Sequence, residues 1–342
     1  MANPLTIAQI AEAAGVSTAT VDRVLNERAG VNPATVGKVR EAIAALGGGT
    51  PARGRPRSSS NYRFGFVLPS ARRGFFDQVD RVIAQTAGEF RHQHITEVTH
   101  RLPVADVNQF AAELTKLSDL DGLALIAPDL PPVKLAINEL VRAGVHVVTL
   151  FSDVPGSMRA TAIGADNRAA GRTAGLLIGN SLPRDAGRTC ALLSPATRYA
   201  AEIDRRIGFQ QVMEERFPDA VVTRLFEMPE ADDAAYEMAR ELLTPVAADL
   251  AGVYNVGPAS FGVARALAEM KTARPPMFVA NDLLEVHRTM LMSGALSYVI
   301  NQDLYSSISS ASRVLRGLCD GVRGALSLGN PRVEILTAEN LA

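Results

Sequence analysis

The chain has 342 residues, 47% hydrophobic and 21% charged, with a formal net charge of −1. That length exceeds what one compact core usually holds, and the composition excludes a disordered, collagen-like or disulfide-stapled chain. The charge is uneven: residues 1–62 hold seven Arg or Lys against four acids, giving +3 there and −4 elsewhere, which points to a polyanionic partner for the N-terminal end alone.

The opening "MANPLTIAQI" has no basic segment followed by an apolar run, and no later stretch is long enough to span a bilayer, so a cytoplasmic protein is expected. Thr6 and Gln9 form a Thr-x-x-Gln capping box that predicts a helix start, with Ile7, Ile10, Ala11 and Ala14 on one face. Gly15 ends that helix. Ser17 caps a second, with Val21, Val24 and Leu25 inward, so a helix-turn-helix is expected. In such a pair the start of the second helix enters the major groove. That assigns Ser17, Thr18, Ala19, Arg23 and Asn26 to DNA, with Thr18 suited to a thymine methyl or a hydrogen bond and Arg23 to guanine or phosphate. A third helix follows, capped by Asn32, with Pro33 in its first turn, a Val36, Val39, Ile43, Leu46 stripe, and Gly47 at its end.

Residues 48–62 are a Gly, Pro, Ser and Arg linker, and no acid occurs from Ala42 to Ser70. Beyond Arg63, apolar runs ("RFGFVLP", "DGLALIAP", "GVHVVTLF", "GRTCALLSP", "LAGVYNVG", "PPMFVAND", "SYVINQD") alternate with helical stretches. This predicts parallel sheets wound by helices, in two lobes because the region is too large for one core. Cys190 and Cys319, far apart and in apolar surroundings, read as free thiols of a reducing compartment. His92 and His94 in "HQH" lack a third ligand at metal spacing and read as surface strand residues, so no metal and no cofactor is expected. No phosphate-binding loop, dinucleotide fingerprint or nucleophile elbow occurs, which argues against an enzyme.

Ligands in open α/β sheets bind outside the carboxyl ends of the strands. Polar residues at those points are Asp129, Asn255, Asp282 and Gln302, and Phe75 and Phe76 follow the first run in "PSARRGFF". Carboxylates and amides around aromatic plates suit vicinal hydroxyls, each of which donates and accepts.

"TIAQIAEAAGVSTATVDRVLN" closely resembles the headpiece of the lactose-repressor (LacI/GalR) family of bacterial transcription regulators, and the likeness continues to "ALG". The remainder, from Arg63 to about Thr337, resembles that family's effector domain and the periplasmic sugar-binding proteins. The resemblance implies a small all-α helix-turn-helix headpiece (1–47), the basic linker (48–62), and an α/β, type I periplasmic-binding-protein-like effector and dimerisation domain (63–342). Its lobe one would cover about 63–164 and 304–329, and lobe two about 165–300 and 330–338. It implies that Phe75 and Phe76 stack on a sugar ring and that Arg205 in "IDRRIGF" binds the ligand. Extra residues in "SPATRYAAEIDRR" leave Arg206 as an alternative. Asp22 departs from the family's usual Ser, and a carboxylate there narrows operator choice or pairs with Arg23. The family's hinge helix pattern is absent from "GGGTPARGRPRSSS". Arg53-Gly54-Arg55-Pro56 instead resembles an AT-hook core, with Arg53 and Arg55 able to enter an A·T minor groove, or the segment is a charged tether on phosphates.

The expectation is a homodimeric or tetrameric, non-enzymatic regulator that represses a carbohydrate or polyol operon at a pseudo-palindromic double-stranded operator. A sugar, polyol or sugar derivative would control it. A sugar-binding transport receptor and a sugar-metabolising enzyme are the rival readings.

Overall fold

The computed structural model describes residues 7–25, 31–46, 61–71, 74–90, 92, 94–183, 188–196, 198–272, 274–322 and 331–341. The chain forms two units, Met1–Ser59 and Ser60–Ala342.

The first unit is three helices: α1 (Ile7–Ala14), α2 (Thr18–Leu25) and α3 (Pro33–Ala45). Gly15 turns the chain between α1 and α2 at φ +63°, a backbone state that a side chain would strain. The Thr20 N–H donates to Ser17 Oγ at 3.1 Å and the Ala34 N–H to Asn32 Oδ1 at 2.9 Å, so both expected caps form. Thr6 and Gly47 lie outside the described residues. Ile10, Ala11, Val21 and Val39 make the core, flanked by Val24, Leu25 and Ile43. Helices this short hold only by packing on one another. Leu46 was expected in the stripe, but it falls just past α3 and is 40% exposed.

The second unit begins with β1 (Tyr62–Pro69), α4 (Gly74–Thr86), β2 (Ile95–Leu102), α5 (Val107–Thr115), β3 (Gly122–Leu125), α6 (Pro131–Arg142), β4 (His146–Leu150) and β5 (Thr161–Ile163). These strands form a parallel sheet in the order β2-β1-β3-β4-β5. The second lobe adds α7 (Asn167–Ser181), β6 (Thr189–Pro195), α8 (Ala200–Arg216), β7 (Val221–Met228), α9 (Asp232–Leu243), β8 (Leu250–Asn255), α10 (Ser260–Glu269), β9 (Met277–Asn281), α11 (Glu285–Met292) and β10 (Tyr298–Gln302). After α12 (Leu304–Cys319) comes β11 (Val333–Leu336), giving the order β11-β10-β9-β8-β6-β7. All pairs in this sheet are parallel except β10 with β11, an antiparallel edge that the sequence reading did not include.

Helices cover both faces of each sheet. Ile308, Ala311, Val314 and Leu315 of α12 pack into the first lobe's core, although α12 follows the second lobe's β10. Ala170, Ala174 and Ile178 of α7 pack into the second lobe's core, although α7 follows β5. The chain therefore crosses between lobes after β5, after β10 and again between α12 and β11. At the first crossing Gly164 has φ +156°, and a Cβ there would meet the Phe151 Cα at 2.9 Å. Both cysteines are free thiols, and burial pushes each up to about 12. Among the described residues no helix is long and apolar enough to cross a membrane.

Candidate functional site

On the three-helix unit, Ser17, Thr18, Ala19 and Arg23 are all exposed. Ala19 and Arg23 lie one turn apart on α2, on a face that does not include the buried Val21. The Ser17 hydroxyl is committed to the cap and to Thr20 Oγ1 at 2.9 Å. The outward set is therefore Thr18, Ala19 and Arg23, a small rigid face of one hydroxyl, one methyl and one guanidinium that suits base edges and phosphates. Asn26, Arg53 and Arg55 lie outside the described residues.

The second unit holds a cavity of about 430 Å³ between its lobes, at the carboxyl ends of the strands. Its first-lobe wall is aromatic. Phe75 and Phe76 open α4, and Phe151 follows β4; the Phe75 ring meets Phe151 edge-on at 5.5 Å and Phe76 at 5.9 Å. Tyr199, ahead of α8, extends this row, 6.2 Å from Phe76.

Arg205, Asp282 and Gln302 line the second-lobe wall, and a polar chain ties them to Asn167 behind it. Asn167 Nδ2 donates to the Phe151 carbonyl at 2.9 Å, and its Oδ1 accepts from Arg205 Nε at 2.8 Å. Arg205 Nη1 reaches Asp282 Oδ2 at 3.3 Å, and Gln302 Nε2 donates to Asp282 Oδ1 at 2.8 Å. This network runs from Asn167, just past the first crossing, to Gln302, at the second. Arg205 and Asp282 are 10% and 15% exposed, dry enough for their pairing to hold geometry. With the Gln302 amide nitrogen fixed on a carboxylate, its Oε1 is a buried acceptor with no partner among the described residues, beside the cavity. His287 Nδ1 lies 2.6 Å from the Asp282 carbonyl; burial pushes this imidazole below its ordinary range, partly offset by that hydrogen bond. A neutral ring donating from Nδ1 fits both facts.

Backbone strain collects at the same place. Phe151, Ala259 and Asp282 line the cavity with φ of +59°, +63° and +61°, a left-handed state uncommon for side-chain-bearing residues.

Arg205 is positioned by an unusually close helix pair. Gly171, Gly175 and Gly179 form a stripe on α7, and Gly208 lies on α8. A Cβ on Gly171 would fall 1.8 Å from the Arg205 carbonyl oxygen, and one on Gly208 would fall 2.1 Å from that of Arg168. Only glycine lets α8 approach α7 closely enough for Arg205 to reach Asn167.

The structure brings together Phe75, Phe76, Arg205, Asp282 and Gln302. Two expected residues do not line the cavity. Asp129 pairs with Lys134 at 2.8 Å, an i+5 neighbour on the following helix. Asn255 is fully buried and donates to the carbonyls of Gly257 and Pro258 and to Ser260 Oγ at 2.9–3.1 Å. It shapes the 256–260 loop that lines the cavity instead of facing it. Arg206 lies over the Phe226 ring at 4.3 Å, so of these two neighbours it is Arg205 that lines the cavity. His92 and His94 are exposed but stand in the turn before β2, not in a strand. Among the described residues no group of three His, Cys, Asp or Glu could hold a metal. The sequence reading missed Phe151, Asn167, Tyr199, Glu202 and His287. Phe151 ends the run "GVHVVTLF", so the rule that found Asp282 would also have found it.

Residues 64–322 match the periplasmic binding protein domain, and residues 6–47 match the bacterial regulatory proteins of the lacI family. Similar folds include GanP, a glucose-galactose binding protein from Geobacillus stearothermophilus (19% identity, 83% of this chain and 99% of that chain, TM-score 0.70). A solute binding protein from Burkholderia graminis in complex with D-arabinose gives 19%, 83%, 98% and 0.69. A candidate LacI transcriptional regulator from Bacteroides fragilis gives 17%, 82%, 98% and 0.70. At such identities these structures show the fold. Among curated proteins, none matches the chain.

Proposed function

We propose, because this chain belongs to the lacI family of bacterial regulatory proteins and carries a periplasmic binding protein domain, that it is a transcription regulator controlled by a small polyhydroxylated effector. The observation that carries this reading is the joining, in one chain, of an exposed Thr18–Arg23 helix face to a two-lobed cavity. That cavity has an aromatic wall opposite the Arg205–Asp282–Gln302 network. Aromatic plates take the apolar face of a sugar ring, and fixed carboxylate and amide groups take its hydroxyls.

Charge narrows the effector class. Among the described residues, Asp77, Glu202, Glu230, Asp232, Asp282 and Glu285 line the cavity against Arg81 and Arg205 as guanidinium groups. A phosphate or carboxylate would enter against that field, so an uncharged sugar or polyol is favoured over a sugar phosphate. Similar folds are recorded with D-arabinose and with α-D-tagatopyranose, which agrees with this class.

The regulator acts as a repressor of a carbohydrate or polyol operon, as a homodimer on a pseudo-palindromic operator. The groove residues are Thr18, Ala19 and Arg23, with Asn26, Arg53 and Arg55 as further contacts. Effector binding changes the closure of the lobes and so the operator affinity. The coupling is reciprocal: an effector that weakens DNA binding is itself bound less tightly on DNA. The test combines a thermal-shift screen over aldoses, ketoses, polyols and their phosphates with fluorescence anisotropy on operator DNA. An uncharged sugar that raises Tm and shifts operator affinity is the expected result. Sugar binding with no sequence-specific DNA binding would favour the transport-receptor reading instead.

A further inference from the structure

The segment between β6 and α8 grips the opposite lobe. It leaves the second lobe's sheet at Pro195 and enters α8 at Ala200, yet its bonds go to three successive loops of the first lobe. Arg198 Nη1 donates to the Val104 carbonyl, after β2, at 3.3 Å. The Asp129 N–H, after β3, donates to the Arg198 carbonyl at 2.8 Å. The Ala201 N–H donates to Ser152 Oγ, after β4, at 3.2 Å. Between these bonds the Tyr199 side chain is 6% exposed and packs within the first lobe's core cluster beside Phe76.

The same segment divides the space between the lobes. On one side is the cavity with the Arg205–Asp282 pair. On the other is a second hollow of about 430 Å³, bordered by Pro103, Pro195, Pro229 and Arg198; Glu230 borders both. Tyr199 belongs to the wall of the first alone.

We propose that Arg198–Ala201 form a latch, carried by the second lobe and seated in the first through Tyr199, whose release is required for the lobes to part. Three chain crossings by themselves allow graded bending, whereas a docked ring and three hydrogen bonds give a discrete latched state. Tyr199 is a positioning residue: it closes the end of the cavity and holds the aromatic row against the polar wall. Only the consequence for an effector, which would favour the latched state, rests on the function proposed above.

The latch is tested on the full chain with no sugar present, by hydrogen exchange resolved to single amides. The amides of Asp129 and Ala201 report the two backbone bonds directly. Both are expected to be protected in the wild type. In Tyr199→Ala both exchange at least about tenfold faster, while amides of β1 and β6 keep wild-type rates. If Tyr199→Ala fails to fold, the Ser152→Ala/Arg198→Ala double variant removes side-chain bonds at both ends and should speed exchange of the Asp129 amide, whose own acceptor is left in place, several-fold. Unprotected Asp129 and Ala201 amides in the wild type, or unchanged rates in the variants that fold, would overturn the latch. Neither result depends on an effector, whereas a sugar screen with no hit would count against the effector reading and leave these rates standing.

Discussion

Asp282→Asn isolates the charge at the centre of the cavity. Asp282 lies at φ +61°, where alanine would add a backbone penalty of about 1 kcal/mol, so Asp282→Ala confuses strain with chemistry. Asparagine tolerates that conformation and keeps an oxygen for Gln302 Nε2. Its amide nitrogen must then face Arg205 Nη1, which now stands 3.3 Å from a carboxylate oxygen. One charge-assisted hydrogen bond is lost from a pair whose side chains are 15% and 10% exposed. That loss costs about 1.5–3 kcal/mol, or roughly 2–5 °C in Tm for a domain of this size. An effector hydroxyl bound to the carboxylate loses a similar amount, about 10- to 100-fold in Kd. Calorimetry against the sugar found by the thermal-shift screen measures this, and anisotropy on operator DNA should give wild-type affinity without effector. A folded variant that responds at the wild-type effector concentration would remove Asp282 from the site.

Gly171→Ala places a Cβ 1.8 Å from the Arg205 carbonyl oxygen, so α7 and α8 must separate. The expected outcome is about 1–3 kcal/mol of lost stability and a weaker effector response, read by thermal melts and calorimetry, with operator affinity unchanged. Burial holds the imidazoles of His287, His100 and His146 below their ordinary 6.5. Above that pH both the folded and unfolded states are neutral and stability is full. As pH falls below about 6.5 the unfolded chain takes up protons first and stability declines. Glu97, raised by burial, works the opposite way only where carboxylates titrate. A pH 7-to-5 series of melts should therefore slope downward, less steeply in His287→Asn, which keeps a donor to the Asp282 carbonyl. An equal slope would show that His287 is protonated in the fold. Arg23→Ala should weaken specific operator binding by about 1–3 kcal/mol and leave effector affinity as it is; unchanged gel-shift titrations would reject the groove assignment of α2.

Every apolar run read as a strand lies inside a sheet, and the four strands without such a run (β2, β5, β7 and β11) are the four sheet edges. Interior strands such as β3 and β8 are buried at every residue, so they appear as unbroken apolar runs. Edge strands such as β7, with Arg224 and Glu227, have one side in water and mix polarity. The site was legible where chemistry follows a strand directly, as at Asp282 and Gln302. Asn255 and Asp129 satisfy the same rule but turn to the residues that follow them, a loop for Asn255 and the next helix for Asp129, and no linear pattern distinguishes the two outcomes. Tyr199 and Asn167 were missed because their roles depend on contacts across lobes. The stripe in "AAGRTAGLLIGNS" is a readable signal: three glycines at i, i+4 and i+8 predict close helix approach, and here that approach sets Arg205.

The strain around the cavity follows from what each position has to do. Glycine would relieve φ at residues 151, 259 and 282, but it would also remove the Phe151 ring from the aromatic wall and the Asp282 carboxylate from Arg205. A left-handed residue turns the chain sharply at the end of a strand, so the next residue leaves the sheet while the side chain stays over its carboxyl edge. At Asp282 the turned backbone also sends its carbonyl to His287 Nδ1, and the buried ring holds the turn from behind. Side chain and carbonyl are thus fixed by different partners, Arg205 and Gln302 on one side and His287 on the other. Strain persists where the surroundings over-determine it. Under the proposed function, an effector would meet a carboxylate already oriented, and the ordering cost that would weaken its binding has been met in folding.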